Sequence, residues 1–247
     1  MKKTIKIFVI VVALILVFGA TVLGTLAFLT DEEEVINTFA AGKVDLTLDE
    51  AKTDLYGKKL DPEERVYENS YRMIPGLTYS KDPTVTVLEG SEAAYIRVLV
   101  TLHNATAVNK IMASSRHSLS KYSDWFVGID SSAWTCLDSA PILNTADDTV
   151  TLEFWYANPV KGFDTAGNKT DVKLVPVFTG LKIPETLTSE EINLLHGDLN
   201  DLEGDFKITI VAHAIQAAGF NSQADAWRAF EQQMAEVLAE ANQNVNP

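Results

Sequence analysis

Residues Ala94 to Leu102 read AYIRVLVTL. Ile96, Val98, Val100 and Leu102 alternate with Tyr95, Arg97, Leu99 and Thr101, the two-residue period of a β-strand. The second face is itself partly apolar, so both faces need cover and the strand belongs in the middle of a sheet. Working outward, the same period recurs. Val44, Leu46 and Leu48 alternate with Asp45, Thr47 and Asp49. Val150, Leu152, Phe154 and Tyr156 alternate with Thr151, Glu153 and Trp155. Val85-Thr86-Val87 and Leu174 to Phe178 add two shorter strands, the second with Pro176 at an edge or bulge. Phe206 to Gln216, FKITIVAHAIQ, is apolar on both faces and reads as an interior strand.

Turn residues separate these runs. Pro75-Gly76 signals a type II turn, and Gly162 with Gly167 marks a hairpin-like loop. Residues 51 to 72 are polar and read as an irregular excursion. Ala105 to Ser120 mixes helix and loop character, and Asp124-Trp125-Phe126 reads as an aromatic anchor that packs. Thr188 with Glu191 forms a capping box for a short helix. Ser222 and Asp225 start a last one, with Trp227, Phe230, Met234, Val237 and Ala241 in one apolar stripe expected to pack. Strands without βαβ alternation imply an antiparallel, mainly β fold, a sandwich with peripheral helices and a C-terminal amphipathic helix.

The N-terminus reads differently. Lys2, Lys3 and Lys6 precede an uncharged run from Ile7 to Thr30, longer than the ~20 residues a bilayer-spanning helix needs. Asp31 to Glu34 follow it, so the positive-inside rule keeps Met1 in the cytoplasm and exports the rest. Two readings fit: an uncleaved anchor, or a signal peptide cut after Ala27, where Thr25 and Ala27 are the small residues before the cut. The cleaved reading is the one adopted, with Phe28 as the new N-terminus. It leaves Phe28, Leu29, Val35, Ile36 and Phe39 on a short segment with no partner evident in sequence.

Asn37-Thr38-Phe39, Gly42-Lys43-Val44-Asp45-Leu46 and Leu48-Asp49-Glu50, after an Ala-Phe-Leu-Thr-Asp junction, resemble the start of the TasA/camelysin family. The Lys81-Asp82-Pro83 and Ala94 to Val98 runs, and Ala212 to Gln216 with Gly219-Phe220 and Ala226-Trp227, extend the resemblance over nearly the whole chain, most weakly across 104–147. The resemblance implies an exported protein of a Gram-positive bacterium with a dedicated signal peptidase. It also implies a jelly-roll-like β-sandwich and assembly into extracellular biofilm-matrix fibres. The camelysin branch is classed as a surface metalloprotease.

The formal net charge is −14, and removal of the N-terminal lysines deepens it. Such a chain is a poor partner for nucleic acid or anionic membrane surfaces. Membrane contact is expected only through the signal peptide before cleavage. Cys136 is the only cysteine, so no internal disulfide forms; burial beside Trp134 and Leu137 is expected. His103, His117, His196 and His213 form no His-Glu-x-x-His motif, and no Gly-x-Ser-x-Gly elbow occurs. Asp147-Asp148 and Asp198, Asp201 and Asp205 lack a calcium-loop pattern and read as solvated loops. Asn104-Ala105-Thr106 and Asn168-Lys169-Thr170 fit the glycosylation acceptor pattern only weakly.

The expected organisation is a signal peptide over 1–27, a β-sandwich over 28–220 and a helix over 221–247 packed on it. Within the sandwich, 28–39 is a candidate exchanged strand. The expected function is a secreted structural fibre subunit. It would polymerise after signal-peptide removal by donating Phe28 to Phe39 to a neighbour, with itself and accessory fibre proteins as partners. No catalytic, metal or cofactor residue is assigned. The alternatives are a camelysin-type metalloprotease and a monomeric surface adhesin.

Overall fold

The computed structural model describes residues 30–32, 43–196 and 206–245. Its elements, in chain order, begin with strands β1 (Thr30–Glu32), β2 (Leu46–Ala51), β3 (Arg65–Val66), β4 (Thr78–Ser80), β5 (Thr84–Val87) and β6 (Ala94–His103). Helix α1 (Ala105–Met112) leads to β7 (Phe126–Val127), β8 (Trp134–Cys136), β9 (Ile142–Asn144), β10 (Thr149–Tyr156), β11 (Val172–Lys173) and β12 (Gly180–Lys182). Helix α2 (Ser189–His196), β13 (Ile208–Gln216) and helix α3 (Gln223–Val245) complete it.

Strand β6 is central, as its two apolar faces require. It lies between β13 and β10, antiparallel to both, with Val100 opposite Ile210 on one side and Leu152 on the other. The sheet runs β1-β13-β6-β10-β8, with β9 also on β10. A second sheet runs β11-β5-β2-β3, and a third, smaller one β4-β12-β7. The fold is therefore mainly antiparallel β with three helices among the described residues. The first two sheets share a core: Val98, Val100, Leu152, Phe154 and Ala212 pack in one cluster with Leu46, Val85 and Val87. The other face of β13 and β6 forms a smaller cluster, in which Ile215 meets Trp227, Phe230 and Ala226 of α3.

Local chemistry sets the ends of the elements. The Pro75-Gly76 turn forms, with Gly76 at φ +80° and the Leu77 N–H donating to Ile74 O. Thr188 and Glu191 exchange the bonds of a capping box at α2, and Ser222 Oγ caps the Asp225 N–H at α3. Gly57 turns the 51–72 excursion tightly onto β4; a Cβ there would lie 2.5 Å from Tyr79 Cα. Phe126 stacks on Phe178 with ring centroids 4.4 Å apart, and Trp125 is fully buried, so the aromatic anchor packs.

Three expectations need correction. Leu174 to Phe178 is not a strand; only Val172 and Lys173 pair with β5. Carried onward, that register sets Pro176 opposite Pro83. Neither has an N–H to donate, so the ladder breaks although Val177 and Phe178 stay buried. Cys136 is only partly buried, because β8 is an edge strand. Finally, the stripe on α3 packs only over its first part: Trp227 and Phe230 are buried and Met234 packs partly buried against them, but Val237 is 53% exposed.

Candidate assembly edge

Ala27, Phe28, Leu29, Val35, Ile36 and Phe39 lie outside the described residues, as do Asp198, Asp201 and Asp205. What the structure describes of the N-terminal segment is β1. It pairs antiparallel with the end of β13, setting Thr30 opposite Ile215, Asp31 opposite Ala214 and Glu32 opposite His213.

That pairing covers only part of β13. Among the described residues, no strand pairs with Ile208 to Ala212 on the side away from β6. Along its core-facing side, the strand's two halves differ. Ala212 and Ala214 face the shared core and are fully buried, whereas Ile208 and Ile210 pack against the same core but remain half-exposed. In front of them lies a cavity of about 210 Å³ between β13 and β2, lined by Ile208, Ile210, Leu48 and Tyr67, with Glu50 and Lys81 also at its wall. Tyr67 is 80% exposed at this place. Among the described residues, then, Ile208 to Ala212 form a strand edge with no second partner, beside a slot lined by both apolar and charged side chains.

The covered end of β13 is built differently. Arg97 of β6, nearly fully buried, donates to Glu153 at 2.9 Å, Glu231 of α3 at 3.0 Å and His213 Nδ1 at 3.2 Å. Its guanidinium lies 4.5 Å from the Trp227 ring and 4.9 Å from that of Phe230. A buried cation held by two carboxylates and two aromatic faces clamps α3 onto the sheet.

A second charged group surrounds the end of β2. Arg65 of β3 holds Asp49 and Asp82, and Lys59 also reaches Asp82. Burial would raise the Asp82 carboxyl, but the Ala51 N–H, Lys59 and Arg65 overcome it and hold it below its usual range. Glu50 and Lys81, both buried, pair at 2.7 Å.

The histidines serve separate places. His103 meets Thr209, and burial lowers its pKa. His117 sits between Thr186 and Glu191, at 2.8 and 3.0 Å. His213 meets Arg97, and His196 ends α2. Among the described residues no group of three His, Cys, Asp or Glu side chains could hold a metal ion. Asp148 bonds the N–H and hydroxyl of Thr106 and so tethers α1. Asn104, in a left-handed conformation, caps α1 and donates to Leu194 and Leu195 carbonyls. Burial, then Asp138, pushes the Cys136 thiol up to about 12. Among the described residues no helix is long and apolar enough to cross a membrane; Ile7 to Leu29 lies outside them.

Sequence alone reads FKITIVAHAIQ as an interior strand, and β13 does lie between two strands, β6 and β1; among the described residues β1 reaches only His213 to Ile215. The signal present was the run of acids at Asp31 to Glu34, which marks a segment unsuited to pair deep in a sheet. No protein-family model, curated protein or solved structure matches this chain.

Proposed function

We propose that this chain is a secreted subunit of an extracellular fibre, of the TasA/camelysin type, with a jelly-roll-like sandwich as its body. The observation that carries the reading is the edge of β13 that, among the described residues, is covered only by β1, beside a slot containing Ile208, Ile210 and Leu48. An extended segment can complete such an edge, gaining backbone hydrogen bonds along the strand and side-chain contacts in the slot. If an incoming segment carries on the register of β1, Val35 falls opposite Ile210 and Phe39 opposite Phe206, both on the core-facing side. Ile36 falls opposite Thr209 on the other side. Burying Val35 and Phe39 would contribute about 1.5–3 kcal/mol each, before the cost of ordering the segment.

When the segment comes from a neighbouring subunit, the contact is head-to-tail and does not close, so it propagates into a filament. In the precursor the same segment is tied to the membrane, which delays polymerisation until cleavage after Ala27. Secreted protein should therefore begin at Phe28 by N-terminal sequencing. Deletion of residues 28–39, or Val35→Asp with Ile36→Asp, should give a folded monomer that forms no fibres by electron microscopy. Fibres of normal length from the deletion variant would refute the exchange. Replacing His103, His117, His196 or His213 singly by Gln should leave fibres intact; loss of fibres together with loss of stoichiometric zinc would favour a metal-dependent protein instead.

A further inference from the structure

Glu50 lies near the end of β2, Lys81 just after β4, and Asn69 in the segment between β3 and β4. Glu50 and Lys81 are 5% and 7% exposed. Lys81 Nζ donates to Glu50 Oε2 at 2.7 Å, and Asn69 Nδ2 donates to Glu50 Oε1 at 3.0 Å. One carboxylate thus bridges an amine and a carboxamide. The carboxamide is held on its other side as well: Asn69 Oδ1 accepts from the Thr53 N–H at 2.9 Å and from the Thr53 hydroxyl at 3.3 Å. The Tyr71 ring lies 5.9 Å from Nζ and meets Tyr79 edge-on. Burial, then the charge of Glu50, pushes the Tyr71 phenol far above its usual range, so it stays protonated and donates to Ser80 O.

A structural ion pair needs only the amine and the carboxylate. Here a buried nucleophile and a buried proton carrier share hydrogen bonds with a half-buried carboxamide whose carbonyl is polarised by two donors, the groups that acyl transfer requires. We propose that Lys81 and Asn69 become joined by an intramolecular isopeptide bond, with Glu50 as the catalytic residue that moves the protons. Glu50 takes a proton from the Lys81 ammonium. The freed amine attacks Asn69 Cγ, and the Thr53 N–H and hydroxyl stabilise the charge that develops on Oδ1. The Nζ–Cγ bond forms and the Cγ–Nδ2 bond breaks. Nζ gives up two protons, Glu50 relays them to Nδ2, and the nitrogen departs as ammonium. No electron changes hands and no co-reactant is needed. Glu50 and Lys81 also line the cavity beside β13, which offers the leaving group a path out. The bond would tie the 51–72 excursion to the β4–β5 junction, independently of whether the chain forms fibres.

The test is mass spectrometry of the purified full chain, its N-terminus fixed by sequencing. The intact mass should fall below the sequence mass by one ammonia, and a tryptic digest should yield a branched peptide linking Lys81 to Asn69, uncut after Lys81. Glu50→Ala and Asn69→Ala should each return the full mass of their own sequence. Wild-type protein at its full sequence mass, with Lys81 and Asn69 in separate linear peptides, would overturn the proposal. So would loss of water instead of ammonia, which would point to an aspartate partner. A linked peptide at wild-type yield in Glu50→Ala would remove Glu50 from the mechanism.

Discussion

The two halves of β13 are one strand with two fates. From His213 to Ile215 it has β1 on one side, β6 on the other and α3 above, with Arg97 clamped between Glu153, Glu231 and two aromatic rings. From Ile208 to Val211 it has β6 on one side and, among the described residues, no strand on the other. The covered half is built for stability: Arg97 donates to Glu153, Glu231 and His213, and α3 packs over it. The open half carries Ile208 and Ile210, the same kind of side chain, left half-exposed over a slot. Substitutions in the two halves should therefore separate stability from assembly.

The largest effect is expected in the covered half. Arg97→Ala leaves the Glu153 carboxylate without its cation, with only the Trp155 indole N–H as donor, and removes the contact that holds α3, so it should cost about 3–5 kcal/mol by urea unfolding. Trp227→Ala should cost a similar ~3–5 kcal/mol through the cavity it leaves. If either left the unfolding midpoint unchanged, the clamp would not be what secures this half.

Next comes the link between α2 and the turn at His117, away from both halves. Glu191 accepts from the Thr188 N–H and from His117, and these bonds bring its carboxyl from 4.5 down to about 2. Its folded pKa lies below its unfolded one, so it stabilises the fold fully above pH ~4.5, and that contribution drains as pH falls through about 2. Glu191→Gln should flatten thermal stability between pH 5 and pH 2 relative to wild type, and should lower it at pH 7 by about 1–3 kcal/mol. An unchanged acid slope would contradict the bonding seen at α2.

The smallest stability changes belong to exposed apolar positions. Ile210→Asp should cost only about 1–2 kcal/mol, since the side chain is half-exposed to begin with, yet it should abolish fibres. Val237→Ser should stay within ~0.5 kcal/mol because the distal stripe of α3 packs on nothing described.

Much of this architecture was readable from residue patterns. The alternation in Tyr95 to Leu102 and Val150 to Tyr156 identified strands, because burial on a pleated surface repeats every two residues, and the apolar second face marked the first as central. Thr188 with Glu191 and Ser222 with Asp225 identified helix starts because capping is local chemistry. Features that depend on register were out of reach. Pro176 looks tolerable at an edge until β11 and β5 align and set it against Pro83. The Glu50-Lys81-Asn69 group was hidden because 51–72 reads as a polar loop, and only folding brings Asn69 to the end of β2. The pairing of Thr30 to Glu32 with β13 joins ends of the chain that share no pattern, and the acids there conceal any strand period.

The central claim is that the open half of β13 receives the N-terminal segment of another subunit. The most direct measurement mixes two secreted variants, each with Cys136 replaced by Ser: one carrying Val35→Cys, the other Ile210→Cys. After mild oxidation of the mixed assembly, the account predicts disulfide-linked dimers containing one of each variant, and a ladder of multimers from the double variant. A double variant that oxidises only within single chains, with no cross-linked dimers from the mixture, would contradict it and place the segment on its own subunit.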